Sequence, residues 1–150
     1  MTPPSPGTRL WIELEGMGRR LLLVEDDADS ADALGLFLRM EGYDVRRVGS
    51  GLAALQAVTA SPDSDGPLPD WFPDAILLDL TLPDMEGIEV GRRIRERWNQ
   101  ARIILLSARQ PESIREAASA VGAAATMRKP FDLAALVTRV EEILAGPAAV

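Results

Sequence analysis

Two short apolar runs, Ala75-Ile76-Leu77-Leu78 and Ile103-Ile104-Leu105-Leu106, leave this chain few folds to choose from. Each is too short for a buried helix and lacks the three-to-four spacing of an amphipathic one. Such runs form strands buried on both faces, which belong at the centre of a parallel sheet. Pro73 and Pro83 bracket the first run, which hands the chain to a carboxylate, Asp79. The second ends in a hydroxyl, Ser107. In open parallel sheets, ligands bind in the crevice beyond the carboxyl ends of the strands. An aspartate there also serves simply to start a turn, so its position alone leaves both roles open.

The flanking sequence alternates between strand and helix patterns. Residues 19–24 read as a first strand that delivers Glu25, Asp26 and Asp27 to its end. A helix over 30–41 follows, capped by Asp29 or Ser30, with Leu34, Phe37, Leu38 and Met40 broadly on one face. Gly42 closes it, and the polar stretch 43–48 predicts a second strand at a sheet edge. Ser50 caps a helix over 51–60 carried by Leu52, Leu55 and Val58. A helix over 87–98 uses Ile88, Val90, Ile94 and Trp98, and another over 111–121 ends at Gly122. Residues 123–127 form a weak strand leading to Arg128-Lys129-Pro130. Asp132 caps a last helix with Leu133, Leu136, Val137, Val140, Ile143 and Leu144 inward, stopped by Gly146-Pro147.

Five strands alternating with five helices predict an α/β fold: a doubly wound parallel sheet with right-handed crossovers. One domain over 19–146 accounts for all of them. A partly flexible N-terminal extension, 1–18, precedes it, with a short alternating stretch at 10–15, and a tail, 147–150, follows. The connection 61–73 is long for its kind and holds four prolines. It reads as a tolerated surface insertion, in which Trp71 and Phe72 either mark an interface or cover the sheet edge.

Composition removes several classes of function. The net charge of −7 argues against a nucleic-acid surface, which needs clustered Lys and Arg. With no cysteine there is no disulfide or thiolate metal site, and with no histidine no imidazole base, ligand or phosphohistidine. No apolar run has the length to cross a bilayer, and the proline-rich start lacks a signal-peptide pattern, so a cytoplasmic location is expected.

If the strands adopt the order 2-1-3-4-5, Glu25, Asp26, Asp79, Ser107 and Lys129 converge on one rim. Each is unremarkable alone, as a cap, a turn former or an exposed loop lysine, but each ends a different strand. Two carboxylates about 4 Å apart repel by roughly 4 kcal/mol at an effective dielectric near 20. A cation relieves that, and hard oxygen donors without nitrogen or sulfur favour Mg2+. Asp26 and Asp79 are the expected ligands, with Glu25 acting mainly through water. Asp79 can then act as a nucleophile toward phosphorus, with Ser107 and Lys129 available to the phosphoryl oxygens.

Those segments, Leu22-Leu23-Val24-Glu25-Asp26-Asp27, residues 77–87, Leu105-Leu106-Ser107-Ala108 and Lys129-Pro130-Phe131-Asp132, resemble response-regulator receiver domains of two-component signalling. The likeness spans nearly all of 20–145. It implies a flavodoxin-like fold and phosphorylation of Asp79 by a histidine kinase or histidine phosphotransfer protein with Mg2+. It further implies the Thr81 carbonyl as a metal ligand beside Glu25, Asp26 and Asp79, self-catalysed phosphoryl transfer with slow autodephosphorylation, and an unknown downstream protein target. No output domain is expected. One departure stands out: Thr126 occupies the place where the family usually carries Tyr or Phe. That residue leaves open a second reading, a receiver-like binding module controlled without phosphate. A third, a haloacid-dehalogenase-like phosphatase, wants a second aspartate where this chain has Thr81.

Overall fold

The computed structural model describes residues 18–58 and 71–146. Their strands are β1 (Arg20–Val24), β2 (Asp44–Val48), β3 (Ala75–Asp79), β4 (Ile103–Ser107) and β5 (Ala125–Arg128). The helices are α1 (Ala28–Met40), α2 (Gly51–Ala57), α3 (Gly87–Arg97), α4 (Pro111–Val121) and α5 (Leu133–Ala145). The sheet is parallel throughout, in the order β2-β1-β3-β4-β5. The N-terminal extension, the tail and most of the long connection lie outside the described residues.

Strand side chains alternate between faces, so the apolar runs feed two cores. Leu22, Val24, Ile76, Leu78, Ile103 and Leu105 pack with Ala54, Leu55, Val90, Ile94, Ala117 and Val121 from α2, α3 and α4. Leu21, Leu23, Ala75, Leu77, Ile104 and Leu106 pack with Leu34, Leu38, Leu136 and Val140 from α1 and α5. At about 1.5–3 kcal/mol per fully buried aliphatic side chain, these layers dominate the favourable side of folding.

Several boundaries differ from the sequence reading. Helix α1 starts two residues earlier than expected, because the Asp27 carboxylate accepts from the Ser30 amide and takes the cap. Its inward residues are Ala31, Leu34, Gly35 and Leu38, while Met40 is 76 % exposed and so leaves the expected face. Leu52 is also exposed, and Ala54, Leu55 and Val58 carry α2 instead. The caps at Ser50 and Asp132 are as expected, and so is the left-handed stop at Gly122, φ +72°.

Trp71 and Phe72 cover the core edge. The Trp71 indole N–H donates to Asp44 at 2.8 Å, the Arg46 guanidinium stacks on its ring, and Phe72 meets Trp98 edge-on.

Candidate functional site

The ladder register sets the rim. Asp79 ends β3 opposite Leu106, so Ser107 stands one residue further on β4, and Ser107 in turn pairs with Arg128, the residue before Lys129. The Lys129 amide extends the ladder by donating to the Ser107 carbonyl at 2.7 Å, ahead of the cis Lys129–Pro130 peptide. On the other side of β3, the Glu25 amide donates to the Val48 carbonyl, carrying the chain one residue past β1. Adjacent strand ends therefore bring Glu25, Asp79, Ser107 and Lys129 to one place, and the first three are buried. Asp26 is exposed beside them.

Carboxylate oxygens of Glu25, Asp26 and Asp79 all lie within 4.8 Å of one another. The Lys129 ammonium bridges two of them, 2.5 Å from Asp79 Oδ2 and 3.2 Å from Glu25 Oε2. Asp79 Oδ1 accepts from the Thr81 amide at 2.7 Å. Two acids sharing one cation divide the charge unequally. Burial pushes Glu25 up to about 7, reinforced by its hydrogen bond and charge interaction with Asp79, with Lys129 pulling the other way. Asp79 is held below the ordinary carboxylate range: burial opposes this, but hydrogen bonds with Glu25, Lys129 and the Thr81 amide together outweigh it. Lys129 is raised, since its two acidic partners outweigh burial. Of the two acids, the one at the tip of the central strand is therefore the one held toward its charged form.

The loop after β3 is fastened on both sides. Asp84 accepts from the Gly51 and Leu52 amides at the start of α2. Glu86 pairs with the Arg109 guanidinium at 2.9 Å, and the Arg109 amide donates to Ser107 Oγ at 3.0 Å. Gly87 is needed where the loop enters α3, since an added Cβ would lie 2.5 Å from Leu80 Cα and 2.8 Å from the Asp79 carbonyl. A cleft of about 410 Å³ opens beside the site, lined by Glu25, Ala33, Leu34, Lys129, Phe131 and Leu133 among others.

Glu25, Asp26, Asp79 and Lys129 meet here and Ser107 ends the neighbouring strand at the same rim, while Thr81, expected to act through its carbonyl, is exposed and donates its amide to Asp79. Arg47 was missed. From β2 its Nε donates to the Glu25 carbonyl at 2.9 Å and its Nη2 to the Asp26 carbonyl at 3.0 Å. An arginine on a polar edge strand reads as a solvated residue, and no sequence pattern separates this one from its neighbour Arg46.

The geometry has counterparts in known proteins. A sequence model of the response regulator receiver domain matches residues 21–141. The transcriptional regulatory protein PrrA of Mycobacterium tuberculosis is 35 % identical over 125 residues, 83 % of this chain and 49 % of that protein. The response regulator MprA of Mycobacterium leprae is 33 % identical over 125 residues, covering 83 % and 50 % respectively. The chain thus spans about half the length of these relatives. Among solved structures, a response regulator from Chloroflexus aurantiacus superposes with a TM-score of 0.74 at 35 % identity, over 86 % of this chain and 99 % of that one. The receiver domain of the sensor histidine kinase PA1611 from Pseudomonas aeruginosa gives 0.73 at 28 % identity over the same shares, with a magnesium ion coordinated in its active-site cleft.

Proposed function

This chain belongs to the response-regulator receiver family, and from that premise we propose that Asp79 takes a phosphoryl group from a histidine kinase or a histidine phosphotransfer protein. The change is then read by a protein partner on the altered surface. One observation carries the assignment: Asp79 is buried at the tip of the central strand, bonded to Lys129, and within 4.8 Å of two further carboxylates. In the transfer, an Asp79 oxygen attacks phosphorus while the bond from phosphorus to the donor breaks, and the donor atom leaves with its electron pair. Lys129 compensates the phosphoryl oxygens, and the Ser107 hydroxyl donates to one of them. The donor's entry is assigned to the cleft beside Lys129 and Phe131.

The donor set fits Mg2+: three clustered carboxylates and no nitrogen or sulfur among them. Glu25, Asp26, Asp79 and the Thr81 carbonyl are the residues assigned to hold it. Bound there, Mg2+ neutralises the acids and the phosphoryl oxygens. The same reading assigns the receiver unit to 19–146, includes slow autodephosphorylation, and gives it a cytoplasmic location. Among the described residues no helix is long and apolar enough to cross a membrane.

The test is intact mass after incubation with acetyl phosphate and Mg2+. Wild type is expected to gain one phosphoryl group and Asp79→Asn none. An equal gain in the variant would remove Asp79 from its role, and no gain in wild type would favour a module that works without phosphate.

A further inference from the structure

Resting on the magnesium reading above, we propose that Arg47 is a positioning residue for the metal-binding loop, holding Glu25 and Asp26 by their main-chain carbonyls. Strand β1 pairs with β2 only as far as Val24 opposite Val48. Beyond that point the Glu25 amide still finds the Val48 carbonyl. The next two carbonyls, of Glu25 and Asp26, have no strand to meet. The Arg47 side chain supplies two donors of one guanidinium, at 2.9 and 3.0 Å. It acts as a continuation of the ladder made from a side chain. The planar fork suits two successive carbonyls, whereas an ammonium offers a single point of charge.

What is held in this way is the stretch from which the metal-site acids project. Glu25 Oε1 also accepts from the Asp27 amide at 3.3 Å, and Asp27 caps α1. The downstream end of the loop is therefore fixed by the helix and the upstream end by the sheet, with Arg47 gripping the middle. Asp26 is the exposed member of the acid cluster. Among the described residues nothing buries its side chain, so the direction of its carboxylate depends on the backbone below it. Groups that orient metal ligands in this indirect way commonly matter about 10–100-fold in affinity.

A guanidinium near a cation site also repels the cation, and the two effects have opposite signs. Arg47 is exposed, so water and salt screen its charge. Its hydrogen bonds to the loop are direct and are not screened in the same way. Positioning is therefore the larger effect, and removing Arg47 weakens Mg2+ binding even though it removes a repelling charge.

Neighbouring Arg46 provides the control. It lies on the same strand with the same charge, but its guanidinium stacks over Trp71, 4.7 Å from the ring centroid. The experiment is calorimetric titration of the full chain with Mg2+ alone, in wild type, Arg47→Ala, Arg47→Lys, Arg46→Ala and Asp26→Asn. Arg47→Ala is expected to raise the Mg2+ Kd about tenfold or more. Arg47→Lys should recover only part of that loss, and Arg46→Ala should bind like wild type. A tighter or unchanged Kd in Arg47→Ala, or full rescue by lysine, would overturn the proposal. If Arg47→Ala does not fold, incomplete rescue by Arg47→Lys beside a normal Arg46→Ala decides in its favour, and full rescue decides against it. If wild type binds no Mg2+, or Asp26→Asn binds as well as wild type, the magnesium reading itself fails, which these arms separate from the role of Arg47.

Discussion

Strands β3 and β5 lie two places apart in one sheet and are built in opposite ways. Every residue of β3, Ala75 to Asp79, is buried, whereas no residue of β5, Ala125 to Arg128, is. The first has a strand on each side and helices on both faces, while the second is an edge. The difference assigns tasks. A group that must meet phosphorus in line belongs on a strand whose side chains have nowhere to go, since close-packed interiors hold their rotamers. A loose edge is not thereby the responding surface: Thr126 brings little apolar area to a switch, so the response is expected in the loop after β4, where the Arg109 amide donates to Ser107 Oγ.

The comparison is tested most severely by removing packing from each strand. Leu78→Ala is expected to cost about 2–5 kcal/mol in urea unfolding, and Thr126→Ala under about 1 kcal/mol. Comparable losses would mean that β5 is as firmly built as β3. Next comes Ser107→Ala, which should leave Asp79 phosphorylated, as read by intact mass, but release the loop after β4. The lost hydrogen bond to a charged group is worth roughly 1.5–3 kcal/mol, enough to abolish most of any phosphorylation-linked amide protection there.

Thr126→Phe should sharpen the contrast from the other side. Burying a ring is worth roughly 1.5–3 kcal/mol against about 0.8 for a threonine methyl. The variant should therefore spread the response to phosphorylation into β5, seen as new exchange differences at residues 125–128. The smallest effect is expected from Glu86→Gln. Its partnership with Arg109 is largely exposed on the glutamate side, and such pairs contribute about 0–1 kcal/mol. Loop exchange near Ser107 should rise slightly, with phosphorylation unaffected.

The two strands were unequally legible in the sequence. Ala75 to Leu78 allows one reading, because an unbroken apolar run of that length has to be buried on both sides. Ala125 to Arg128 carries no such pattern, and its expected start at Ala123 was two residues early. Met40 and Leu52 were placed inward because they are apolar and near the right spacing, yet single exposed apolar residues are ordinary on a folded surface. Asp27 does not stand out as the cap in the sequence, because Asp29 and Ser30, two and three residues further on, satisfy the same preference. The acid cluster, Ser107 and Lys129 were readable because each ends a strand. Arg47 and Asp84 were not: their partners are main-chain groups 21 to 33 residues away, and backbone atoms leave no signature in a sequence.

The central claim is that chemistry sits on the rigid strand while the response lies in the loop that follows β4. Amide hydrogen exchange of the full chain with Mg2+, with and without beryllofluoride as a phosphoryl mimic, tests it most directly. The account predicts added protection across residues 107–112 and little change around Thr126. Strong change centred on Thr126, with the Ser107 loop unaltered, would contradict it.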